Sequence, residues 1–410
     1  MESIKLEEQA IYKFQIKDFI FGIQILFVAF GALVLVPILA GLNPNVALFT
    51  SGVGTLIFQV ITGGKVPVYL ASSFAFIAPI TVGISKYGLA ETLSGLIITG
   101  IVYLILSLLI FWGGATIIHR ILPPCVTSPV IMVIGLSLAP AAVKMASEAG
   151  DNYSATMALV VSSTSLLTTI VIFVFAKGLF RLLPILGGLI AGYLIALLLG
   201  MVDFSPLTEA AWFALPPFVT PKFHLPAILF MLPVAIAPAI EHIGDILAIK
   251  SVTNRDYLRD PGLHRTLLGD GIATSFAALL GGPPNTTYSE VTAAVAITGI
   301  KNAGIMTWAA ICAIVFSFSG KLGALLQTIP PPVMGGILVI LFGTIVVVGI
   351  QSLINQGENL IQPRNLAVVS VILVFGVGGM SFQAGEFAIE GIGLCCIVGI
   401  CLNLLLPTGV

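Results

Sequence analysis

Two apolar stretches of this chain carry carboxylates at spacings that could do chemistry. In the run Leu232 to Leu247, Glu241 and Asp245 stand four residues apart and so share one face of a helix. An ionisable side chain inside an apolar span costs about 2.5–3.5 kcal/mol, so such a pair needs a ligand or a proton to justify it. His242 projects about a hundred degrees away and is read as holding a neighbouring helix or a backbone carbonyl. Pro233 and Pro238 remove backbone donors, which leaves carbonyls free to bind a ligand or line a cavity.

The second stretch is Pro283-Pro284-Asn285-Thr286-Thr287-Tyr288-Ser289-Glu290-Val291. Its prolines and β-branched pair predict an extended start, after which the apolar run beyond Glu290 predicts a short helix. The N-terminus of that helix points into the apolar layer, where free N–H groups suit an electronegative atom or an ionised carboxylate. Tyr69-Leu70-Ala71-Ser72-Ser73-Phe74 reads the same way, so two half-helices can face each other while their extended leaders satisfy one another. Asp270, between Gly269 and Gly271, is a third acidic position with a structural or coupling role.

The elements that position these residues follow from composition. In 410 residues there are 17 Lys+Arg and 18 Asp+Glu, 9% charged against 58% hydrophobic. Soluble proteins carry about 25% charged residues, so the composition predicts an all-α polytopic membrane protein. Apolar stretches fall at roughly 19–40, 47–64, 68–85, 91–113, 124–143, 156–176, 181–202, 225–249, 264–281, 285–300, 303–319, 325–350, 365–381 and 389–407. The first run follows a segment of mixed charge (Glu2, Lys5, Glu7, Glu8, Lys13, Lys17) and is too long for a cleaved signal peptide, so a retained span is expected. The stretches 68–85 and 285–300 are short for a spanning helix and begin extended behind proline.

Fourteen passes put both termini on one side. Sorting the basic residues by alternating loops then gives 13 on that side and 4 on the other, which predicts cytoplasmic termini. Leu122-Pro123-Pro124-Cys125-Val126 recurs 207 residues later as Ile329-Pro330-Pro331-Pro332-Val333. Ser72-Ser73-Phe74-Ala75-Phe76 lines up with Thr286-Thr287-Tyr288-Ser289-Glu290 at an offset of 214. Similar offsets near half the chain predict a duplication, and an odd seven passes per half threads the second copy upside-down. Inverted repeats around broken helices are the architecture of secondary transporters. The connections Lys144 to Asp151, Asp203 to Lys222 and Lys250 to Arg265 are expected to be solvated loops.

Phe30-Gly31-Ala32 before Val36-Pro37, Ser72-Ser73-Phe74-Ala75-Phe76-Ile77, Glu241-His242-Ile243-Gly244, Arg259-Asp260-Pro261-Gly262-Leu263-His264-Arg265, Pro284-Asn285-Thr286-Thr287-Tyr288 with Glu290, and Pro331-Pro332-Val333-Met334-Gly335-Gly336 run through the whole chain. At these residues it resembles the nucleobase–ascorbate transporters, and among them the bacterial uracil permeases that move uracil with protons. The Asn-Thr-Thr-Tyr-x-Glu segment resembles the pyrimidine branch, since purine carriers usually have Gln-Asn followed by Gly there.

The resemblance implies a core domain of segments 1–4 (residues 1–113) and 8–11 (225–320), and a gate domain of segments 5–7 (114–224) and 12–14 (321–410). Short strands open segments 3 and 10. It implies that Glu241 and Glu290 accept the ring N–H groups of uracil, that backbone amides at Phe74 and Ser289 donate to its carbonyls, and that Ala32 and Tyr288 line the pocket. Glu290, Asp245, Glu241 and Asp270 are the implied proton-coupling residues, and a homodimer in the bacterial cytoplasmic membrane is implied as well. Position 245 is Asp where His is familiar in uracil permeases, while Asp is common among purine carriers, so a xanthine or purine carrier is the alternative. Position 289 is Ser where Gly is familiar, which leaves its amide available and narrows the space beside a ligand.

The residues fit this chemistry on their own terms. Uracil is a planar ring edged with N–H donors and C=O acceptors, which two carboxylates and two amides complement, and Phe74 or Tyr288 can cover a face. Carboxylates crowded together away from water are natural carriers of a proton. An anion exchanger is disfavoured because buried glutamates repel its substrate. An intramembrane metalloenzyme using Glu241, His242 and Asp245 lacks an HExxH pattern and a second histidine in the apolar spans, and no cofactor or metal is expected. No basic tract is long enough to follow nucleic acid. Cys125, Cys312, Cys395, Cys396 and Cys401 lack ligand spacing and are read as small buried residues, neither in disulfides nor on zinc.

Overall fold

Backbone groups with no water to turn to must pair within the protein, and a helix pairs nearly all of its own. The computed structural model of the protein describes residues 12–114, 123–355, 362–384 and 387–407, and its apolar runs are helical. Among the described residues, seven helices are long and apolar enough to cross a membrane: Ile16–Ala40, Pro44–Thr62, Leu89–Gly113, Pro124–Ser147, Ala155–Phe175, Leu225–Thr253 and Pro331–Ile354. Shorter apolar helices cover Phe74–Tyr87, Pro184–Leu198, Ser289–Thr298, Gly304–Ser317, Pro363–Val377 and Gly391–Leu405, and Leu263–Leu279 lies among them. Glu2, Lys5, Glu7, Glu8, Arg120 and Leu122 lie outside the described residues.

The two short stretches open as extended backbone, as expected. After Pro67, β1 (Leu70–Ser72) runs antiparallel to β2 (Asn285–Thr287), with Leu70 opposite Thr287, Ala71 opposite Thr286 and Ser72 opposite Asn285. The Ser73 N–H donates to the Pro284 carbonyl at 3.0 Å, which extends the ladder by one bond. A two-stranded sheet in an apolar surround leaves two edges exposed, and side chains of neighbouring helices close both. Ser51 Oγ donates to the Leu70 carbonyl (2.5 Å) and Thr55 Oγ1 accepts from the Leu70 N–H (3.0 Å). On the far edge Thr274 Oγ1 donates to the Asn285 carbonyl (2.7 Å), and Asn285 Nδ2 donates to the Thr50 carbonyl (3.0 Å). The long span Leu225–Thr253 is interrupted by a 3-10 turn at Leu232–Ala235 with Pro233 in its first turn, where proline's missing N–H is tolerated.

The helices that follow the two Pro-Pro motifs, Pro124–Ser147 and Pro331–Asn355, pack along each other. Their approach is close enough that a Cβ at Gly135 would lie 2.6 Å from the Phe342 carbonyl oxygen.

Several details depart from the sequence expectation. The stretch at 325–350 divides into a helix Gly320–Gln327 and the long helix from Pro331. A hairpin of β3 (Ser381–Ala384) and β4 (Phe387–Glu390) stands between the last two helices. The connection from Asp203 to Lys222 is fixed rather than loose: the Val219 N–H donates to the Leu280 carbonyl (3.2 Å) and the Lys222 N–H to the Ala90 carbonyl (2.8 Å). Lys321 Nζ reaches back to the Leu207 carbonyl at 2.6 Å. The Lys250 to Arg265 connection is braced by Lys250–Asp256 at 2.9 Å and by a Lys65–Asp260 pair. Four cysteines are buried as expected, but Cys401 is exposed on the outward face of Gly391–Leu405, where an apolar thiol is at ease among lipid tails.

Candidate functional site

The paired strands aim their helices inward, and the acidic residues gather behind them. Ile236–Thr253 carries Glu241 and Asp245, Leu263–Leu279 carries Asp270, and Ser289–Thr298 carries Glu290 in its first turn. The four carboxyl groups lie within electrostatic reach of one another. Asp245 is 7% exposed and Asp270 fully buried within the protein. Glu241 Oε2 is buried without a hydrogen-bond partner in the protein. An ionised carboxylate is an acceptor only, so that oxygen calls for an N–H or O–H donor.

Tyr288 follows β2 and stands at the N-cap position of the Ser289–Thr298 helix, which Ser289 opens. The serine hydroxyl donates to Glu290 Oε2 at 3.2 Å, so it orients the carboxylate as well as occupying space. Phe74 stands just past the β1 ladder at the matching place. Its ring lies 6.4 Å from that of Tyr288 with only 29° between their planes, and 6.3 Å from Phe342 edge to face. Ala32 is buried in Phe19–Ala40 beside Gly31, whose absent side chain would start 3.7 Å from Tyr288 Oη. The structure therefore brings Glu241, Asp245, Glu290, Tyr288, Ser289, Phe74 and Ala32 to one region, with Asp270 a layer behind.

His242 holds a neighbouring helix, as its helical angle predicts. Nε2 is 3.0 Å from Thr266 Oγ1, and Nδ1 is 3.2 Å from Asp270 Oδ2, both on Leu263–Leu279. Sequence reasoning missed Thr287, whose hydroxyl donates to Asp245 Oδ2 at 2.9 Å and lies 3.4 Å from His242 Nδ1. The only signal available was its place in the extended segment that leads directly into Tyr288. Among the described residues no group of three or more His, Cys, Asp and Glu side chains could hold a metal ion.

Comparison with known proteins gives this geometry a context. The family model Xan_ur_permease, a permease family, matches residues 16–385. The chain is similar to a probable uracil permease of Pasteurella multocida, 55% identical over 94% of this chain and 93% of that protein. It is also similar to the uracil permeases of Bacillus caldolyticus (45%, covering 94% and 91%) and Escherichia coli K12 (38%, covering 94% and 90%). Among solved structures it shares its fold with the transmembrane domain of the cyanobacterial bicarbonate transporter BicA (TM-score 0.65, 17% identical, covering 94% and 96%). Murine Slc26a9 in the inward-facing state is similar too (TM-score 0.69, 14% identical, covering 96% of this chain and 68% of that one). The chain thus belongs to the Xan_ur_permease family of permeases and is a multi-pass membrane transporter, not an enzyme.

Proposed function

We propose that this protein carries uracil across a bacterial cytoplasmic membrane together with protons, by alternating access of a core domain (1–113 and 225–320) against a gate domain (114–224 and 321–410). In this reading the chain makes fourteen crossings as two inverted repeats of seven, with both termini cytoplasmic, and forms a homodimer. Glu241 and Glu290 accept the two N–H groups of uracil, the amides of Phe74 and Ser289 donate to its carbonyls, and Tyr288 and Ala32 wall the pocket. Glu290, Asp245, Glu241 and Asp270 form the pool of carboxylates from which the coupled proton is drawn.

The observation that carries this reading is the buried, unpartnered Oε2 of Glu241 beside a second carboxylate at a helix N-terminus. A neutral ring presenting N–H groups answers both oxygens, with each bond to a charged acceptor contributing about 1.5–3 kcal/mol. An anionic cargo meets repulsion at the same place. The relatives named as uracil permeases support uracil over other nucleobases. Asp245 favours the second reading, a xanthine or purine carrier.

Competition for labelled uracil on purified protein in detergent, repeated across pH, separates the two. Displacement by pyrimidines alone, with binding that follows a carboxylate-like titration, is the expected result. Displacement by xanthine at comparable concentration would overturn the uracil reading and make Asp245 the guide to specificity.

A further inference from the structure

His242 is wholly buried, and each of its ring nitrogens faces an oxygen: Nε2 meets Thr266 Oγ1 at 3.0 Å, while Nδ1 meets Asp270 Oδ2 at 3.2 Å and Thr287 Oγ1 at 3.4 Å. A hydroxyl has one hydrogen to give. Thr266 gives its own to the Leu263 carbonyl at 3.0 Å, and Thr287 gives its own to Asp245 Oδ2 at 2.9 Å. Toward the imidazole both hydroxyls can then only accept. In that arrangement both ring nitrogens carry hydrogen, Nε2 toward Thr266 Oγ1 and Nδ1 toward Asp270 Oδ2 and Thr287 Oγ1.

The same atoms support a second self-consistent arrangement. When Asp245 carries a proton it donates to Thr287, Thr287 turns its hydrogen to Nδ1, and the ring keeps hydrogen on Nε2 alone. The two arrangements differ by one proton shifted along one line of atoms.

We propose that the Thr287 hydroxyl relays a proton between Asp245 at the pocket and the His242–Asp270 pair behind it. This rests on the reading of the chain as a proton-coupled uracil carrier and gives that reading a route. The Nδ1–H bond breaks as its proton passes to Thr287 Oγ1, while the Thr287 O–H bond breaks and its proton passes to Asp245 Oδ2. The imidazolium becomes neutral, the carboxylate becomes a carboxylic acid, and the hydroxyl ends as it began, with no other reactant. Strand pairing fixes the relay in place, because Thr287 sits opposite Leu70 in the ladder. The titratable groups facing this line are Glu241 on the same helix, Glu290 on Ser289–Thr298, Asp270 on Leu263–Leu279 and the buried Tyr103 on Leu89–Gly113. Pro44–Thr62 contributes the edge of Phe58. Pro124–Ser147 and Gly391–Leu405 bring only cysteines, apart from the exposed Lys144.

Thr287→Val removes the hydroxyl while keeping shape and strand preference, and Thr287→Ser restores it. In proteoliposomes, Thr287→Val is expected to lower uracil accumulation driven by a pH gradient at least tenfold, while uracil counterflow at equal pH falls less than threefold. Thr287→Ser is expected to return accumulation to within twofold of the native protein. Accumulation by Thr287→Val at the native level would overturn the relay, as would equal loss of accumulation and counterflow that Ser fails to restore. Nitrogen-15 spectra of the histidine-labelled, ligand-free protein test the relay whether or not uracil is the substrate. With four histidines in the chain, one is expected to carry hydrogen on both ring nitrogens near neutral pH and to lose that state in His242→Gln. Its absence in the native protein would overturn the relay, whereas absent uracil counterflow in the native protein would overturn the uracil reading alone.

Discussion

Where Ser51, Thr55 and Thr274 close hydrogen bonds onto the paired strands, the helices Pro124–Ser147, Ala155–Phe175 and Pro331–Asn355 meet through glycine. In the strand region, extended backbone at membrane depth is tolerated because every edge finds a polar partner. Among the glycine-packed helices the backbones pair internally and dispersion holds the contact, so small residues set the spacing. A Cβ at Gly336 would lie 2.2 Å from the Ser162 carbonyl oxygen. A cavity of about 130 Å³ there is lined by Gly135, Ala139, Ala142, Phe342 and Val346, none of which offers a side-chain hydrogen bond. Phe342 and Phe74 meet edge to face across the two regions. In the proposed carrier this difference divides the labour: recognition by hydrogen bonds comes from the strand side, and the helix side supplies a wall against which that side shifts.

The largest effect expected from this division is loss of binding on the strand side. Glu241→Gln and Glu290→Gln each replace an obligate acceptor by a group that can present N–H to N–H, and each is expected to weaken uracil binding about 100-fold, roughly 2.7 kcal/mol. Equilibrium binding to purified protein measures this. Near-native affinity in both variants would mean that recognition lies elsewhere and that the contrast between the regions is not functional.

A smaller effect of a different kind is expected on the helix side. Gly336→Val inserts atoms where a carbonyl already stands, so unfolding in detergent should become easier by about 1–3 kcal/mol, the range for overpacking. Uracil affinity of the folded fraction should stay within about threefold of the native value. A variant that folds normally but no longer binds would show that the wall recognises the ligand after all.

How much of this was legible in the sequence differs between the same two regions. Apolar runs located the helices because a run of that kind has few other structures open to it, and Pro67, Pro283 and Pro284 with the β-branched pair Thr286-Thr287 marked the strands because a residue before proline is pushed toward extended backbone and threonine favours a strand. Glu241, Asp245 and Glu290 stood out as charges in apolar surroundings. Thr287 did not, since threonine is an ordinary strand residue and its bond to Asp245 exists only once two segments 42 residues apart are brought together. The β3–β4 hairpin left a faint signal, the alternation Phe387-Ala388-Ile389-Glu390, which is hard to tell from the start of the apolar run that follows. Cys401 shows a limit of apolar patterning: a residue facing lipid and a residue facing the protein interior look alike in sequence.

The smallest expected effect marks the edge of the contrast, outside the apolar layer. Asp256, in the connection after Ile236–Thr253, is held below the usual carboxylate range chiefly by the hydrogen bond from Lys250, and less by Leu258 and Arg259. A carboxylate whose folded value is depressed contributes stability above its ordinary pKa, near 3.9, and loses that contribution as pH falls through the lowered folded value. Any pH dependence from this pair is therefore confined to strongly acidic conditions. Water and salt also screen the attraction, because the side chains of both partners remain more than a third exposed. Asp256→Asn is expected to leave the melting temperature in detergent within about 1 °C of native, with the difference flat from pH 5 to 8. A loss of several degrees that disappears in high salt would show that this loop fastens the strand region from outside, and the buried polar bonds would then not suffice to hold the site.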